Sequence, residues 1–353
     1  MVKYIGFDID CNKVVACVVQ QSRNDYFETF GSDIDSMQKF LKKQKSPGIE
    51  IRLAFEISGQ AGFIYDSLIG SVDVIKVANP YKTTWIYRTS KKTDSLDARK
   101  LAVLMSIDEL PEVYMPSKEV RQWRSLINHR KKLVDNACQT KNRIRAIIKS
   151  QGLNKGFYKG SLWTKTNRLW LKSLFENNDS FELWRLELSN YIVSLEALEK
   201  QISGTTEYLD GYLAKQPGAV LLMSIPGVGP RTAEAILAYT DNIERFSNYK
   251  KYCSYFGLTP KLDQSGMTRR VGHISKQGPS VVRWVLCESS WKVVRYVPAM
   301  KAFYERVMSG QKSRKKIAIV AVCRKMVSVM RAMLISGELF NESMINEEML
   351  KSA

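Results

Sequence analysis

The chain has 353 residues, 44% of them hydrophobic and 25% charged, enough to bury the cores of about two or three domains. Its 54 Lys and Arg against 35 Asp and Glu leave a formal charge of +19, which points to a polyanionic partner, nucleic acid foremost. No apolar run approaches the roughly 18 residues of a membrane span, the start MVKYIGFDID is not a secretory leader, and 6 cysteines without a Cys-x-x-Cys pair beside 2 histidines exclude a disulfide or zinc framework. A cytoplasmic protein is expected.

In chain order, Val2–Ile9 reads as a strand ending in Asp8 and Asp10, Asn12-Lys13 as a turn, and 14–20 and 26–30 as further strands. Helical spacing through Ile34, Met37, Phe40 and Leu41 follows, stopped by Ser46-Pro47-Gly48. The segment 49–57 is a strand carrying Glu56 near its end, then a helix at 62–69 and a strand at 73–78 lead to the stretch 91–100. There Thr93 stands at an N-cap position, and Asp94 and Asp97, three residues apart, share one helix face above a stripe of Leu96, Leu101 and Leu104. Acids in a first helical turn also complement the helix dipole, and each one singly could be a cap or a solvated strand end.

The order β-β-β-α-β-α-β-α is that of a ribonuclease-H-like (RuvC-like) domain, with a mixed sheet bearing acids on its first and fourth strands and on a closing helix. Asp8, Glu56, Asp94 and Asp97 hold those positions, and four carboxylates from three elements can converge on hard divalent cations. Two such ions, about 3.5–4 Å apart, can stabilise both oxygens of a phosphoryl transfer. Asp10 shares the strand face of Asp8 but sits at the turn, and is left out of the set. Arg88, Lys91, Lys92, Arg99 and Lys100 form a basic collar through which phosphates can approach these acids, although any one of them could equally belong to a solvated face.

Beyond Pro111 and Pro116, Val120, Trp123, Ile127, Val134, Ala137, Ile144 and Ile148 mark one face of a long helix. The segment 118–149 carries ten Lys or Arg against two acids, and Arg130, Lys131 and Arg143 on its basic back are expected nucleic-acid contacts. Trp184, Leu188, Tyr191, Leu195, Leu198 and Ile202 then follow in steps of four and three, a heptad seam. Two long helices folding back as an antiparallel coiled-coil hairpin, with a possible second role in pairing subunits, account for both.

Ile225-Pro226-Gly227-Val228-Gly229 introduces a helix near Arg231 and resembles a helix-hairpin-helix, which grips phosphate through backbone N–H groups; Gly227, Gly229 and Arg231 are its expected contacts, and a plain helix turn is the other reading. Next comes a basic loop from Tyr255 through Gln264-Ser265-Gly266, Arg269, Arg270 and Lys276, with Ser275 placed to begin a helix. By its chemistry alone a serine before glycine is a turn residue. The segment 301–331 reads as a basic amphipathic helix pair, and 338–348 as an acidic tail.

Taken together, Ile5-Gly6-Phe7-Asp8, Phe55-Glu56-x-x-Gly59, Lys92-Thr93-Asp94-x-x-Asp97-Ala98, the Ile225–Gly229 hairpin, Gly257-Leu258-x-Pro260, Gln264-Ser265-Gly266 and Gly272-His273-Ile274-Ser275-Lys276-x-Gly278 resemble the DEDD transposases of insertion sequences. That family is related to Piv-type DNA invertases and is understood as bridge-RNA-guided recombinases. The resemblance covers nearly the whole chain. It implies a RuvC-like domain over 1–112 that binds Mg²⁺, two ions per site with Mn²⁺ able to substitute, a coiled-coil region over 113–214, and a mainly helical C-terminal transposase domain over 215–353. It also implies that Ser265 attacks the scissile phosphate and becomes covalently joined to DNA, while metal held by Asp8, Glu56, Asp94 and Asp97 polarises the phosphate and stabilises the leaving 3′-oxygen. Donor and target DNA, a guide RNA and a dimer or tetramer completing the site between subunits are the implied partners, in a bacterial or archaeal nucleoid. Asp10 stands where the family usually carries Ser or a similar residue. A RuvC-like nuclease using metal-bound water, with Ser265 structural, and a non-catalytic nucleic-acid scaffold remain as alternatives, the second disfavoured because all four acidic positions are filled.

Overall fold

A computed structural model of the chain describes residues 1–21, 23–82, 93–153, 160–176, 182–265 and 268–345. The chain forms two compact units, Met1–Arg121 and Gln122–Ala353.

The first unit holds β1 (Val2–Ile9), β2 (Lys13–Val19), β3 (Tyr26–Gly31), α1 (Ile34–Gln44), β4 (Glu50–Glu56), α2 (Ala61–Leu68), β5 (Val74–Ala78) and α3 (Asp94–Ser106). The sheet order is β3-β2-β1-β4-β5, with β1, β2 and β3 antiparallel and β1, β4 and β5 parallel. This five-stranded mixed sheet is compatible with the RuvC-like arrangement. One face buries Ile5, Phe7, Val14, Ala16, Leu53 and Phe55 against Met37, Phe40 and Leu41 of α1 and Ile64 and Leu68 of α2. Asp33 caps α1, accepting a hydrogen bond from the Ser36 backbone N–H at 2.8 Å.

The other face belongs to α3, and small residues let it in. A Cβ on Gly6 would stand 2.0 Å from the Ala98 carbonyl oxygen and 2.8 Å from the Ala102 nitrogen, so helix backbone lies directly on strand backbone there. Around this crossing Val15 and Cys17 pack with Ala98, and Ala54 and Ala78 pack with Leu101, Leu104 and Met105. Leu96 departs from the expected stripe: it is exposed, because the buried face of α3 is centred on Ala98 and Ala102 at the crossing. Gly6→Ala would force the helix off the sheet or leave a clash inside it. We expect it to destabilise the first unit by about 3 kcal/mol, read as a lower urea midpoint.

Helix α4 (Lys118–Ser150), which lies in the second unit from Gln122 on, and α6 (Leu183–Leu213) run antiparallel, with α5 (Lys165–Glu176) beside them. Their direction follows from the contacts: Arg130 Nε donates to Thr206 Oγ1 at 2.8 Å, while Lys141 lies 3.0 Å from Glu199. Ala137, Ile144 and Ile148 meet Leu188, Ile192 and Leu195 in one core, to which α5 adds Leu171, so the seam expected from the sequence is present and a third helix joins it. Arg168 of α5 clamps Glu199 with two bonds of 2.6 and 2.8 Å, and together with Lys141 it holds that carboxyl down at about 2.

The remaining helices are α7 (Pro217–Met223), α8 (Pro230–Thr240), α9 (Tyr249–Tyr255), α10 (Ser280–Tyr296), α11 (Pro298–Met308) and α12 (Lys315–Ser336). They share one core through Leu222, Ile236, Tyr252, Leu286, Val293, Phe303 and Val322. The expected helix pair over 301–331 is α11 and α12. Two expectations are corrected here. The segment read as a basic loop is a two-stranded ribbon, β6 (Pro260–Ser265) and β7 (Thr268–Ile274), and the following helix begins at Ser280 rather than Ser275. Ser275 instead donates its N–H to the Thr259 carbonyl at 2.8 Å and closes the ribbon base. Among the described residues no helix is long and apolar enough to cross a membrane.

Candidate active site

Strand register decides which residues face α3. In the parallel pair β1 and β4, Gly6 lies opposite Ala54 and Phe7 opposite Phe55. Phe7 and Phe55 point into the core beneath α1 and α2, so the next residues, Asp8 and Glu56, emerge on the α3 face at the C-terminal edge of the sheet. The antiparallel pairing of Asp8 with Val15 puts Lys13 on the same face, two residues before Val15. Asp10, whose N–H donates to the Lys13 carbonyl at 2.9 Å, alternates onto that face too.

The N-terminus of α3 comes to this edge because Ala98, one turn on from Asp94, is seated on Gly6. Thr93 caps the helix, its Oγ1 accepting from the Leu96 N–H at 3.3 Å. Asp94 meets Lys13 at 2.7 Å, a bond joining α3 to the start of β2, and Asp97 meets Lys100 at 2.8 Å. Lys13 is also in the field of Asp10 and Asp8, and these neighbours together raise its pKa, with the bond to Asp94 the largest cause.

All four sequence-selected acids therefore lie on one face and toward one edge. Among the described residues, however, no three acidic, histidine or cysteine side chains come close enough to share a metal ion. The donor set is nonetheless of the right kind: carboxylate oxygens from β1, β4 and α3, with no sulfur or imidazole among them, suit a hard divalent cation such as Mg²⁺.

Ser265 belongs to the second unit. It is the last residue of β6, opposite Thr268. The ribbon that carries it is anchored by two glycines at its base. Gly257, at φ +69°, leaves no room for a Cβ against the Gln277 carbonyl, and Gly278, at φ +106°, leaves none against the Tyr255 carbonyl. Arg283 adds hydrogen bonds to the carbonyls of Phe256 (3.2 Å) and Gly278 (2.8 Å). The glycines that flank Gln264-Ser265-Gly266 in sequence thus hold the two legs of the ribbon together, with Ser265 at the far end.

The expected nucleic-acid contacts divide. Arg270 and Lys276 are exposed on and beside the ribbon. Lys91 and Lys92, like Arg88, lie outside the described residues, as does the side chain of Arg269. Arg99 pairs with Asp25 at 2.5 Å, Lys131 with Asp135 and the Trp284 ring, Arg130 with Thr206, and Arg143 lies over Tyr191. In the α7–α8 hairpin, Gly229 is open, but Gly227, at φ +97°, packs against Lys292 and Val293 of α10. Arg231 pairs with Asp210 and with Glu234, 2.9 Å away. Burial pushes the Glu234 carboxyl up to about 7 in spite of that arginine. Lys13 is the site residue the sequence reading passed over; its only signal was its place in a turn three residues beyond Asp10.

Residues 5–151 match the family model for IS110-type DEDD transposases, described as "Transposase", and residues 219–305 match the "Transposase IS116/IS110/IS902 family". The chain belongs to this DEDD transposase family of insertion sequences. The transposase is 24% identical over 242 residues to a probable family 20 transposase of Pseudomonas aeruginosa, which covers 67% of this chain and 69% of that one. It is 23% identical over 296 residues to the transposase for insertion sequence element IS1111A of Coxiella burnetii, covering 82% and 79%. A pilin gene-inverting protein of Moraxella lacunata is 31% identical over 127 residues, 35% of this chain and 39% of that one. The first matched region contains Asp8, Glu56, Asp94 and Asp97 and the second contains Ser265, and DEDD transposase domains are typically metal-dependent.

Proposed function

We propose that this transposase cuts and rejoins DNA through a covalent Ser265–DNA intermediate, assisted by Mg²⁺ held by Asp8, Glu56, Asp94 and Asp97. The observation that carries this reading is the gathering of those four acids on the α3 face and toward the C-terminal edge of the sheet. Mg²⁺, two ions per site with Mn²⁺ as a substitute, would supply charge neutralisation at the scissile phosphate and the departing oxygen. The Ser265 hydroxyl loses its proton and attacks phosphorus, the bond from phosphorus to the 3′-oxygen breaks, and that oxygen takes up a proton. Phosphoester energy is kept in the phosphoserine, so a 3′-hydroxyl from another end can reverse the step and join strands. Attack on DNA ends from two sites is in keeping with the Moraxella relative, whose name is that of a gene-inverting protein.

A bridge RNA that pairs with donor and target DNA is the proposed guide, and a dimer or tetramer the proposed assembly. The excess of 54 cationic over 35 anionic residues fits such partners, as does the exposed pair Arg270 and Lys276 beside the serine ribbon. The test uses full-length protein with its copurifying RNA and DNA spanning the ends of its own element. Strand cleavage is expected with Mg²⁺ and RNA, and not with EDTA or after RNA removal. Nucleic-acid binding should weaken steeply with salt, at a log–log slope of about 0.9 per duplex phosphate neutralised. Cleavage indifferent to EDTA would overturn the metal reading, and cleavage indifferent to RNA the guided one.

A further inference from the structure

The acid edge already contains a cation, and it is part of the chain. Lys13 opens β2, directly across from Asp10 in the β1–β2 turn, so its side chain shares the α3 face with Asp8. Its Nζ lies 2.7 Å from an Asp94 carboxylate oxygen, and Asp8 and Asp10 act on the same ammonium. Asp94 is thus paired with the start of β2, and among the described residues no three acids close on one point. The pair is also easy to part: the two side chains are 50% and 53% exposed, and an ion pair in that much water is weak.

We propose that Lys13 is a tethered counter-ion of the metal site, occupying the cation position in the metal-free transposase and leaving it when a divalent ion binds. The inference rests on the metal reading given above and adds a competitor to it. While metal is absent, the ammonium offsets part of the repulsion among Asp8, Asp10 and Asp94 where the start of α3 meets the sheet edge. When a divalent ion enters, Lys13 swings into solvent on its flexible stem and Asp94 is released to the ion. Lys13 therefore lowers the metal affinity of the free protein and raises the stability of the free fold. It also gives Asp10 a role, since an acid in the β1–β2 turn helps keep the ammonium at the edge while no metal is bound.

The test is Mn²⁺ titration of the full-length protein, followed by the electron paramagnetic resonance of free Mn²⁺, with thermal melting alongside. Lys13→Met and Lys13→Gln both remove the charge, whereas Lys13→Arg keeps it. Both neutral variants should bind Mn²⁺ between about three- and ten-fold more tightly than wild type, as expected for removing one charge several ångströms from a divalent ion in a solvated site. Lys13→Arg should bind as wild type does. Without metal the neutral variants should melt below wild type, and saturating Mn²⁺ should remove that difference. Unchanged or weaker Mn²⁺ binding in both neutral variants would overturn the role of Lys13 while leaving the acid site standing. Wild-type Mn²⁺ affinity in both Asp94→Asn and Asp97→Asn would show that these acids do not hold the ion, and both readings would fall together.

Discussion

Ser265→Ala is expected to eliminate both the covalent protein–DNA species and every recombinant product, with a loss of rate on the order of 10³-fold or more, while nucleic-acid binding survives. The substitution removes one oxygen at the end of β6, and the anchors of the ribbon lie elsewhere. Gly257 and Gly278 at its base, the Ser275 bond to Thr259 and the Arg283 bonds to Phe256 and Gly278 do not involve position 265. A loss of activity therefore reports chemistry rather than unfolding. The measurement is a substrate nicked just past the scissile position, on which wild-type protein should accumulate a denaturation-resistant adduct mapping to Ser265. Should Ser265→Ala instead cut at the wild-type rate, with free 5′-phosphate ends and no adduct from either protein, water is the nucleophile and the chain acts as a RuvC-like nuclease.

Asp97→Asn is expected to reduce Mg²⁺-dependent cleavage by at least about 100-fold, because losing a direct ligand should exceed the 10–100-fold typical of losing an outer partner. Asparagine has the shape of aspartate, and the features that seat α3, the Thr93 cap and the Ala98 contact with Gly6, are left intact. Lys100, 2.8 Å away, loses an anionic partner but keeps a hydrogen-bond acceptor in the asparagine amide oxygen. Fold and nucleic-acid binding should thus persist, and circular dichroism with a DNA-binding titration checks both. Full cleavage by Asp97→Asn would remove this residue from the metal site.

The elements of the first unit were readable because each has a local cause. A short apolar run marked β1, β-branched residues marked β2, helical spacing from Ile34 marked α1, Thr93 marked the start of α3, and Ser46-Pro47-Gly48 marked a stop. The α4 and α6 seams were readable for the same reason, as a repeat that one apolar face imposes on a long helix. The β6–β7 ribbon was not. Its strands carry Lys261, Gln264, Arg270 and His273, all exposed, and they are held by backbone contacts at the base. Helix α5 was also missed, and its Arg168 bond to Glu199 joins residues 31 apart in sequence.

For the site, the choice of Asp8, Glu56, Asp94 and Asp97 needed only element order, since acids at strand ends and in a first helical turn are local features. Their common face was decided by the β1–β4 register and by Gly6, where helix and strand backbones meet too closely for any side chain. A helix end can be read from the sequence; where that end lands cannot. The partners of the cations were likewise tertiary matters, because a lysine or arginine is drawn to whichever acid the fold sets beside it. Arg231 looked like a phosphate ligand and pairs with Glu234 and Asp210, while Lys13 looked like a turn residue and came to rest on Asp94. Composition and local pattern by themselves determined the basic character and the helices and strands with an apolar face, and they offered the four acids as candidates, whereas Ser265 came forward only through the family resemblance. Sheet register, the close approach of α3 and the pairing of charges were settled only by tertiary structure, because each depends on distances between residues that the chain separates.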